Sequence, residues 1–496
     1  MPHAFLGAFA RLAMVLAAFV CAGALAQPRP PAAPATYHVA PGGSDRASGQ
    51  AGAPWATWAH AWLKVRPGDT VVVADGKYEQ ASPPAELAGE AGRPITFRAS
   101  RPGGAQLEGL LFKGNAHLVI EGFRIDGKAG AVGVMSAGRD KPSHHLAFRQ
   151  IGFSCTPGTL NDGACFGMGD GTHHVVLEDS WGWGGGRYTI LCYGGPGGKP
   201  ANLGCDHNTF RRVVLRMGPA RSSSGNPQAS LALYYASHNV VENVVALDGA
   251  AASNSSNAAF YVTGHAPPPR ADGNRFLGVV ALGNRGGGLY VDCPGAICDR
   301  VEVRDSVFWG ATEFAVAIAS GRKGGDSCVG AVIDRNTLGA TIRGVGYANY
   351  ACEGATLTNS AIVQNEAFGA RQSPSAGSTP TAHHNGYFGN LAGARSGVRA
   401  GTGDLSSNPG IRHLLRVDPA SPYRKAGEGG DIGATVTRRY HDGRLTAEDL
   451  WPWPHEERLR EELCAVPEGA FCRSGKRLTR YLWEYLGTPI PAEFDR

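Results

Sequence analysis

The chain has 496 residues and a weak positive charge, with 47 lysines and arginines against 42 aspartates and glutamates and a formal net charge of +5. A charge this small, without a clustered basic face or a DNA- or RNA-binding motif, excludes a typical nucleic-acid-binding protein. It is compatible with an acidic ligand. The 71 glycines indicate many sharp turns, because glycine adopts positive φ without steric cost.

The N-terminus has the pattern of a cleavable signal peptide over residues 1–26. Arg11 precedes an apolar run at residues 12–25, and Ala24-Leu-Ala26 supplies the small residues that signal peptidase requires. The run is too short and lacks the flanks of a membrane-spanning helix. Residues 27–36 are rich in Pro and Ala, which predicts a flexible leader. We therefore expect a protein that is secreted or periplasmic, with no membrane partner for the mature chain.

The cysteines predict disulfide bonds. Removing Cys21 with the signal peptide leaves ten of the 11, and an even number in an exported chain favours pairing. A zinc cluster is the alternative, but no Cys-x-x-Cys spacing occurs in the sequence. The spacing suggests five local pairs, although it cannot establish them: Cys155 with Cys165, Cys192 with Cys205, Cys293 with Cys298, Cys328 with Cys352, and Cys464 with Cys472.

A repeated phrase runs through the middle of the chain. It consists of a polar residue followed by short alternating runs of β-branched or aromatic residues and a Gly-, Asn- or Asp-rich turn. Successive copies begin 28, 29, 33, 31, 36 and 26 residues apart, at His117, His145, His174, His207, His238, Asn274 and Arg300. Stacking such units buries apolar faces that no single unit could bury alone. A β-sandwich would show turn signals at closer, hairpin-like spacing. The pattern predicts an all-β, single-stranded parallel β-helix over residues 37–436.

The last 60 residues lack the repeated strand pattern of the preceding segment and show helical patterns instead. Residues 456–463 and 478–486 have helical patterns, and the Cys464/Cys472 pair lies between them. We predict that residues 437–496 form a helical, disulfide-stapled C-terminal cap, which shields the last coil or packs along the side of the stack. A carbohydrate-binding aromatic patch is the alternative, formed by Trp451, Trp453, Trp483 and Tyr485.

Several segments resemble known right-handed β-helix proteins of the pectate-lyase-like superfamily. Residues 37–44, 66–78 and 93–99 are similar to the N-terminal cap and first coil of polysaccharide lyases of the alginate lyase and chondroitinase B type. Residues 404–409 and 421–434 resemble the last coils of many such proteins. The resemblance implies a right-handed stack, and it implies that residues 55–65 form a short amphipathic helix that plugs its open end.

The resemblance does not extend to the catalytic residues of the alginate lyase family. That family has an Arg-His pair after a Leu-x-Leu strand and a Lys one coil earlier. Here Leu231-Ala-Leu is followed by Tyr234 and Tyr235, and the preceding coil carries Lys199 in a Gly/Pro-rich segment. The resemblance therefore implies a fold, while the chemistry has to be argued from this chain's own residues.

Aligning one strand of each coil by its inward apolar pair places five side chains on one outward patch. The inward pairs are Val132/Val134, Phe166/Met168, Ile190/Cys192, Leu231/Leu233, Phe260/Val262, Leu289/Val291 and Val316/Ile318, and the outward patch is Tyr193, Tyr234, Tyr261, Tyr290 and Asp292. Small residues on either side predict a groove. The alternatives are that the tyrosines form only a packed ladder, or that a shift by one residue turns them inward.

The ends of the same strands add charged residues to this patch. These are Arg187, His265, Arg322, Lys323 and Asp170. Tyrosine rings stack on sugars and guanidinium groups bind carboxylates, so the combination suits a chain of uronic acids. The sequence thus predicts a polysaccharide lyase that cleaves an acidic, uronate-containing polysaccharide by β-elimination. Tyr234 or His265 would be the base, and Arg187 or Arg322 would bind the substrate carboxylate. Substrate-binding candidates are Tyr193, Tyr261, Tyr290, Asp292, Arg322 and Lys323.

Three other functions stay open at this stage. A glycoside hydrolase needs paired carboxylates, but Asp292 and Asp170 lie several coils apart in the alignment. A C5-epimerase would use the same proton chemistry as a lyase. A non-catalytic surface or carbohydrate-binding protein needs no such residues at all. The acidic polysaccharide is the expected partner, and we expect a monomer.

The sequence predicts no metal centre. His-His pairs at residues 144/145, 173/174 and 383/384 begin strands at turns, and no third ligand can be identified. Calcium stays open as a cofactor through Asp and Asn at the corners, although no loop has regular acidic spacing.

Overall fold

The computed structural model describes residues 33–495 apart from residues 129, 139, 157–162, 196–203, 217–226, 250–256, 265–269, 295–296, 319–327 and 375–378. The predicted signal peptide and most of the leader lie outside the described residues. No helix within the described ranges is long and apolar enough to cross a membrane.

The described chain forms a stack of coils with three rows of parallel strands. Rows one and two belong to one 23-stranded sheet, and row three is an 11-stranded sheet. Row one consists of Thr36–Val39, Thr70–Val73, Ile95–Ala99, Ala116–Glu121, His144–Arg149, Val176–Trp183, Thr209–Arg216, Val240–Glu242, Arg275–Leu277, Glu302–Arg304, Val332–Asp334, Thr356–Thr358 and Thr381–His383.

Row two follows row one along each coil, and Val176–Trp183 and Thr209–Arg216 extend through both rows. Its other strands are Gly76–Tyr78, Ala105–Leu107, Arg124–Gly127, Gly152–Cys155, Val245–Leu247, Val280–Leu282, Val307–Trp309, Thr337–Gly339, Ala361–Val363 and Gly386–Phe388. Row three consists of Leu110–Lys113, Val132–Met135, Ala164–Gly169, Tyr188–Tyr193, Ala229–Tyr234, Ala258–Thr263, Gly287–Asp292, Phe314–Ile318, Val345–Asn349, Phe368–Gln372 and Gly393–Ser396.

The remaining elements lie outside the three rows. Cys328–Val329 pairs with Cys352–Glu353 in parallel, and Arg438–His441 pairs with Arg444–Asp449 in an antiparallel hairpin. The helices are Trp58–Lys64, Glu456–Leu463, Ala470–Arg473 and Leu478–Trp483. Strand neighbours within each row come from successive coils and run parallel, and connections between parallel strands are almost always right-handed. The predicted right-handed parallel β-helix is confirmed.

Buried asparagines hold successive coils together inside one corner. Asn208, Asn239 and Asn274 are each 0% exposed. The Asn239 side-chain oxygen accepts two hydrogen bonds from Asn208, one from the backbone N–H (2.9 Å) and one from the side-chain Nδ2 (3.1 Å). Its own Nδ2 donates to Asn274 Oδ1 (3.1 Å) and to the Cys205 carbonyl (3.0 Å). The amides thereby satisfy backbone groups that the corner would otherwise bury without partners.

The N-terminal helix is shorter than the predicted segment, spanning Trp58–Lys64. The Thr57 hydroxyl caps it by accepting a hydrogen bond from the His60 N–H (3.1 Å). Its inner face carries two tryptophans, whose rings stack on Phe97 at centroid distances of 4.8 Å for Trp58 and 3.7 Å for Trp62. The helix thus adds a large aromatic surface to the core of the β-helix.

The C-terminal segment packs along the side of the coils. From helix Glu456–Leu463, Arg458 donates hydrogen bonds to the carbonyls of Gln150 (2.8 Å) and Phe123 (2.9 Å). The Trp181 indole N–H donates to Glu462 Oε2 (2.9 Å). Tryptophans of this segment are buried in an apolar cluster with row-two side chains: Trp451, Trp453 and Trp483. Because these rings are buried, they do not form the exposed carbohydrate-binding patch that was the alternative.

Five disulfides link the cysteine pairs that the spacing suggests. Their Cα–Cα distances run from 4.5 Å for Cys328–Cys352 to 6.2 Å for Cys293–Cys298, within the range that disulfides span. The five bonds are compatible with an oxidising, extracellular compartment.

The asparagine ladder yields a stability prediction. Replacing Asn239 with Ala leaves the Asn208 N–H and the Cys205 carbonyl buried without this partner, so we expect the free energy of unfolding to fall by about 2–4 kcal/mol. Urea denaturation followed by circular dichroism measures the change. The control is Asn408→Ala at an exposed turn, where we expect a change within about 0.5 kcal/mol. Equal effects of the two substitutions would contradict a structural role for the ladder.

Candidate functional site

The strand register of row three places the predicted patch on the outward face. Leu231 pairs with Phe260 and Leu233 with Val262, and all four contribute to the interior core. Between them, Ala232 pairs with Tyr261. The predicted alignment of the coils is therefore confirmed, and the alternative of a one-residue shift is wrong.

Four tyrosines from successive coils form a continuous contact, here called the tyrosine ladder: Tyr193, Tyr234, Tyr261 and Tyr290. Ring centroids are 6.0 Å apart for the first pair, 5.9 Å for the second and 5.7 Å for the third. The rings are tilted or edge-to-face, which is the geometry that aromatic pairs prefer. The structure thus brings together the tyrosines that the sequence predicts for the patch.

The tyrosine ladder is more buried than an open groove would require. Tyr234 is 7% exposed, Tyr261 2% and Tyr290 6%, whereas Tyr193 is half-buried. Small residues next to the ladder, such as Ala232 and Ala258, belong to the same buried cluster. The tyrosine rings themselves occupy the space that these two alanines leave. The packed-ladder alternative therefore describes Tyr261 and Tyr290 in this structure.

A carboxylate lies buried against the ladder. The Tyr261 hydroxyl donates a hydrogen bond to Asp292 Oδ2 (2.8 Å), and Asp292 is 4% exposed. Its other oxygen, Oδ1, has no hydrogen-bond partner among the described residues. Burial raises the pKa of Tyr261 strongly, and the negative charge of Asp292 raises it further. Asp292 is thus a buried carboxylate in an aromatic environment, bonded through one oxygen to Tyr261.

A cation lies at the other end of the cluster. The Arg187 guanidinium carbon is 5.2 Å from the Tyr188 ring centroid, and its Nε donates to the Pro227 carbonyl (3.0 Å). Burial raises the pKa of Tyr234, while a hydrogen bond from Tyr188 and the positive charge of Arg187 oppose that rise. The net shift is upward, so Tyr234 keeps its proton at neutral pH.

Sequence reasoning missed Tyr188 as a member of the cluster. Strict alternation from the inward Ile190 assigns Tyr188 to the interior, yet its ring lies 5.9 Å from that of Tyr234 on the outside. The corner before this strand contains Gly184 and Gly185 at φ of 88° and 113°, conformations that favour glycine. Alternation fails at the first residue after such a corner. The sequence signal that could have identified Tyr188 is the Gly-Gly-Gly run at residues 184–186, just before the strand.

Three predicted site residues lie outside the described residues: His265, Arg322 and Lys323. Lys199 lies outside them as well. Asp170 lies on a different coil from Asp292, and its charge raises the pKa of Tyr193. Asp292 instead raises the pKa of Tyr234 and Tyr261. The two carboxylates therefore raise the pKa values of different tyrosines in the ladder.

Two groups within the described part of the chain have metal-ligand geometry. One is His117, His144 and His145, and the other is His383, His384 and Glu428. In each group the ligand atoms all lie within 4.8 Å of one another. The sequence analysis identified the histidine pairs 144/145 and 383/384 but no third ligand for either. The third ligands, His117 and Glu428, are distant from these pairs in sequence. Both groups are dominated by nitrogen, unlike the oxygen ligands of calcium, which stays a prediction.

Comparisons with known proteins concern the fold. No protein-family model matches the chain, and no curated protein matches it. Among solved structures, pectate lyase Pel9A is 14% identical with a TM-score of 0.46, over 81% of this chain and 96% of that chain. The A-module of the mannuronan C-5 epimerase AlgE6 from Azotobacter vinelandii is 14% identical with a TM-score of 0.47, over 69% of this chain and 91% of that chain.

The alginate lyase AlyGC of family PL6 is also 14% identical, with a TM-score of 0.46. The match covers 76% of this chain and 55% of that chain, so this chain spans about half of its length. With identities this low and TM-scores below 0.5, the three likenesses carry no argument about the chemistry of this chain.

The buried hydroxyl of Tyr261 predicts a loss of stability at alkaline pH. Because the pKa of Tyr261 is raised in the folded protein, the unfolded chain releases this proton first, at about pH 10. Below about pH 10 the protonated Tyr261 hydroxyl makes its full contribution to the free energy of unfolding. Above that pH the free energy of unfolding falls as pH rises. In Tyr261→Phe we expect this fall to be less steep by about 1.4 kcal/mol per pH unit. Urea denaturation at several pH values above about 10 measures the slope, and an unchanged slope would contradict the raised pKa.

Proposed function

We propose that this protein is an exported polysaccharide lyase that cleaves an acidic, uronate-containing polysaccharide by β-elimination. The observation that carries the proposal is the outward position of Tyr234, between Tyr193 and Tyr261 and within the electrostatic influence of Arg187. Aromatic rings, a buried carboxylate and a cation meet there on one face of four successive coils. Such a combination suits recognition of a sugar chain that carries carboxylates.

The reaction requires three groups. A base removes the proton at C5 of the uronate, the freed electron pair forms the C4–C5 double bond, and the C4–O bond breaks as the leaving oxygen takes up a proton. A cation at the substrate carboxylate stabilises the negative charge that develops there. We assign the carboxylate contact to Arg187, and Arg322 and Lys323 stay candidates that lie outside the described residues.

The raised pKa of Tyr234 favours one of its two proton-transfer roles. A tyrosine that keeps its proton at neutral pH is suited to donate to the leaving oxygen, whereas a base has to lose its proton first. His265 follows strand Ala258–Thr263 by two residues and is the candidate for the base. Of the substrate-binding candidates, the half-buried Tyr193 would contact a flanking sugar, whereas the buried Tyr261, Tyr290 and Asp292 would support the site from behind.

A non-catalytic carbohydrate-binding or structural protein is the second candidate. The burial of Tyr261 and Tyr290 favours it, because rings that pack on one another offer little free surface to a sugar. A rigid β-helix with a packed outer ladder would serve as a scaffold without any chemistry. The two candidates differ in whether any bond in the polysaccharide is broken.

The test is a panel of purified anionic polysaccharides, including alginate, pectate, chondroitin sulfate and hyaluronan, incubated with the protein with and without calcium. β-Elimination creates a 4,5-unsaturated uronate, which absorbs at about 232 nm. We expect a rise in absorbance with one of these substrates. In Tyr234→Phe we expect kcat to fall by about 100-fold or more, because the proton donor is removed while the ring is kept.

A matched control removes a tyrosine hydroxyl from the interior of the same row. Tyr347 is fully buried in the core, and its hydroxyl has no hydrogen-bond partner among the described residues. Tyr347→Phe should therefore leave kcat unchanged. New reducing ends without absorbance would indicate a hydrolase, and altered uronate stereochemistry without cleavage would indicate an epimerase. Binding with no chemical change would favour the second candidate.

A further inference from the structure

Histidines from five successive coils stack along one corner of the β-helix: His117, His145, His174, His207 and His238. This set is called the histidine ladder. Neighbouring ring centroids are 4.9, 4.8, 5.4 and 5.0 Å apart. Each of these residues has a positive φ, between 52° and 58°. Histidine is among the residues that tolerate this conformation better than most, so the turn accounts for one imidazole in each coil.

The turn does not account for a second imidazole beside the histidine ladder. His144 and His173 precede ladder residues directly in sequence, and their rings stack on each other at 5.1 Å with an interplanar angle of 4°. His144 Nδ1 lies 2.8 Å from His145 Nδ1, and His173 Nδ1 lies 2.8 Å from His174 Nδ1. In each pair two ring nitrogens point at one another. One has to carry a proton and the other a free lone pair.

The group of His117, His144 and His145 has the arrangement of a metal centre. Its three ligand nitrogens all lie within 4.8 Å of one another. A tetrahedral zinc ion with Zn–N bonds of about 2.0–2.1 Å holds its ligand nitrogens about 3.4 Å apart. Small rotations of the rings would bring the three nitrogens to that spacing. His117 and His144 are half-buried and His145 is exposed, so the rings have room to turn and an ion has access.

The ligand atoms of this group determine which ion it prefers. Three nitrogen ligands with no carboxylate in the group select a borderline ion such as Zn²⁺, Cu²⁺ or Ni²⁺ over Ca²⁺ or Mg²⁺.

We propose that His117, His144 and His145 bind a divalent transition-metal ion at this corner of the β-helix. The site lies at the start of row one, whereas the tyrosine ladder lies on row three. It therefore serves a purpose separate from the proposed lyase reaction, either as a structural link between two coils or as a point of metal capture.

The experiment uses the full mature chain without a polyhistidine tag and titrates it with Co²⁺ alone. Tetrahedral nitrogen coordination of Co²⁺ gives d–d absorption in the visible range, and displacement by Zn²⁺ gives the zinc affinity. We expect the band to appear with the wild-type chain. It should weaken in His117→Asn and in His144→Ala, with Kd raised by more than about 10-fold.

The matched control is His238→Asn, at the far end of the histidine ladder. His117 and His238 share the same left-handed backbone conformation, and Asn tolerates it in both places. We expect His238→Asn to bind Co²⁺ like the wild type, with circular dichroism confirming that all variants are folded. Absence of the d–d band, or equal affinity in His117→Asn, His144→Ala and His238→Asn, would overturn the proposal. The second group at His383, His384 and Glu428 is unchanged in all variants, so binding there cannot imitate the expected loss.

Discussion

Parallel, in-register hydrogen bonding between successive coils determines where every side chain of this β-helix lies. Each strand of a row pairs residue for residue with the strand of the next coil, about 4.8 Å away. A residue type that repeats at one position of the coil therefore becomes a continuous line of contacts. Inside the corner this line is the ladder of Asn208, Asn239 and Asn274, in which the Asn239 amide bonds to the coil before and to the coil after.

The same constraint shapes the outer surface, because identical charges stacked at this spacing repel one another. In row one, charged side chains of opposite sign alternate from one coil to the next. Glu178, Arg211 and Glu242 occupy paired positions on three successive coils, and Arg211 forms salt bridges with both neighbours at 3.0 and 3.2 Å. Neutral side chains meet from coil to coil without this repulsion, as in the tyrosine ladder, where Tyr193 pairs with Tyr234 and Tyr261 pairs with Tyr290. In the histidine ladder, burial lowers the pKa of His145 and His174, which favours their neutral forms.

The C-terminal segment changes which outer surface remains available. Its helices cover row two, where Trp181 donates to Glu462 and where the buried Arg216 donates to the carbonyls of Val466 (2.9 Å) and Glu468 (2.9 Å). Such bonds offset the cost of burying an arginine against an apolar flank. The hairpin of the same segment reaches row one, where the backbone N–H groups of Asp442 and Gly443 donate to Glu242. The histidine ladder lies at the start of row one, and the tyrosine ladder lies on row three.

The sequence by itself determined the parallel coils, and it suggested the register of row three and the cysteine pairs that the structure then confirmed. Those features follow from patterns that repeat locally, with a period of two along a strand and about 30 residues between coils. Only the tertiary structure decided how deeply Tyr261 and Asp292 are buried, that His117 completes a group with His144 and His145, and that the C-terminal tryptophans cover row two. These outcomes depend on contacts between distant segments, such as Trp181 with Glu462 across 281 residues, which no local pattern encodes.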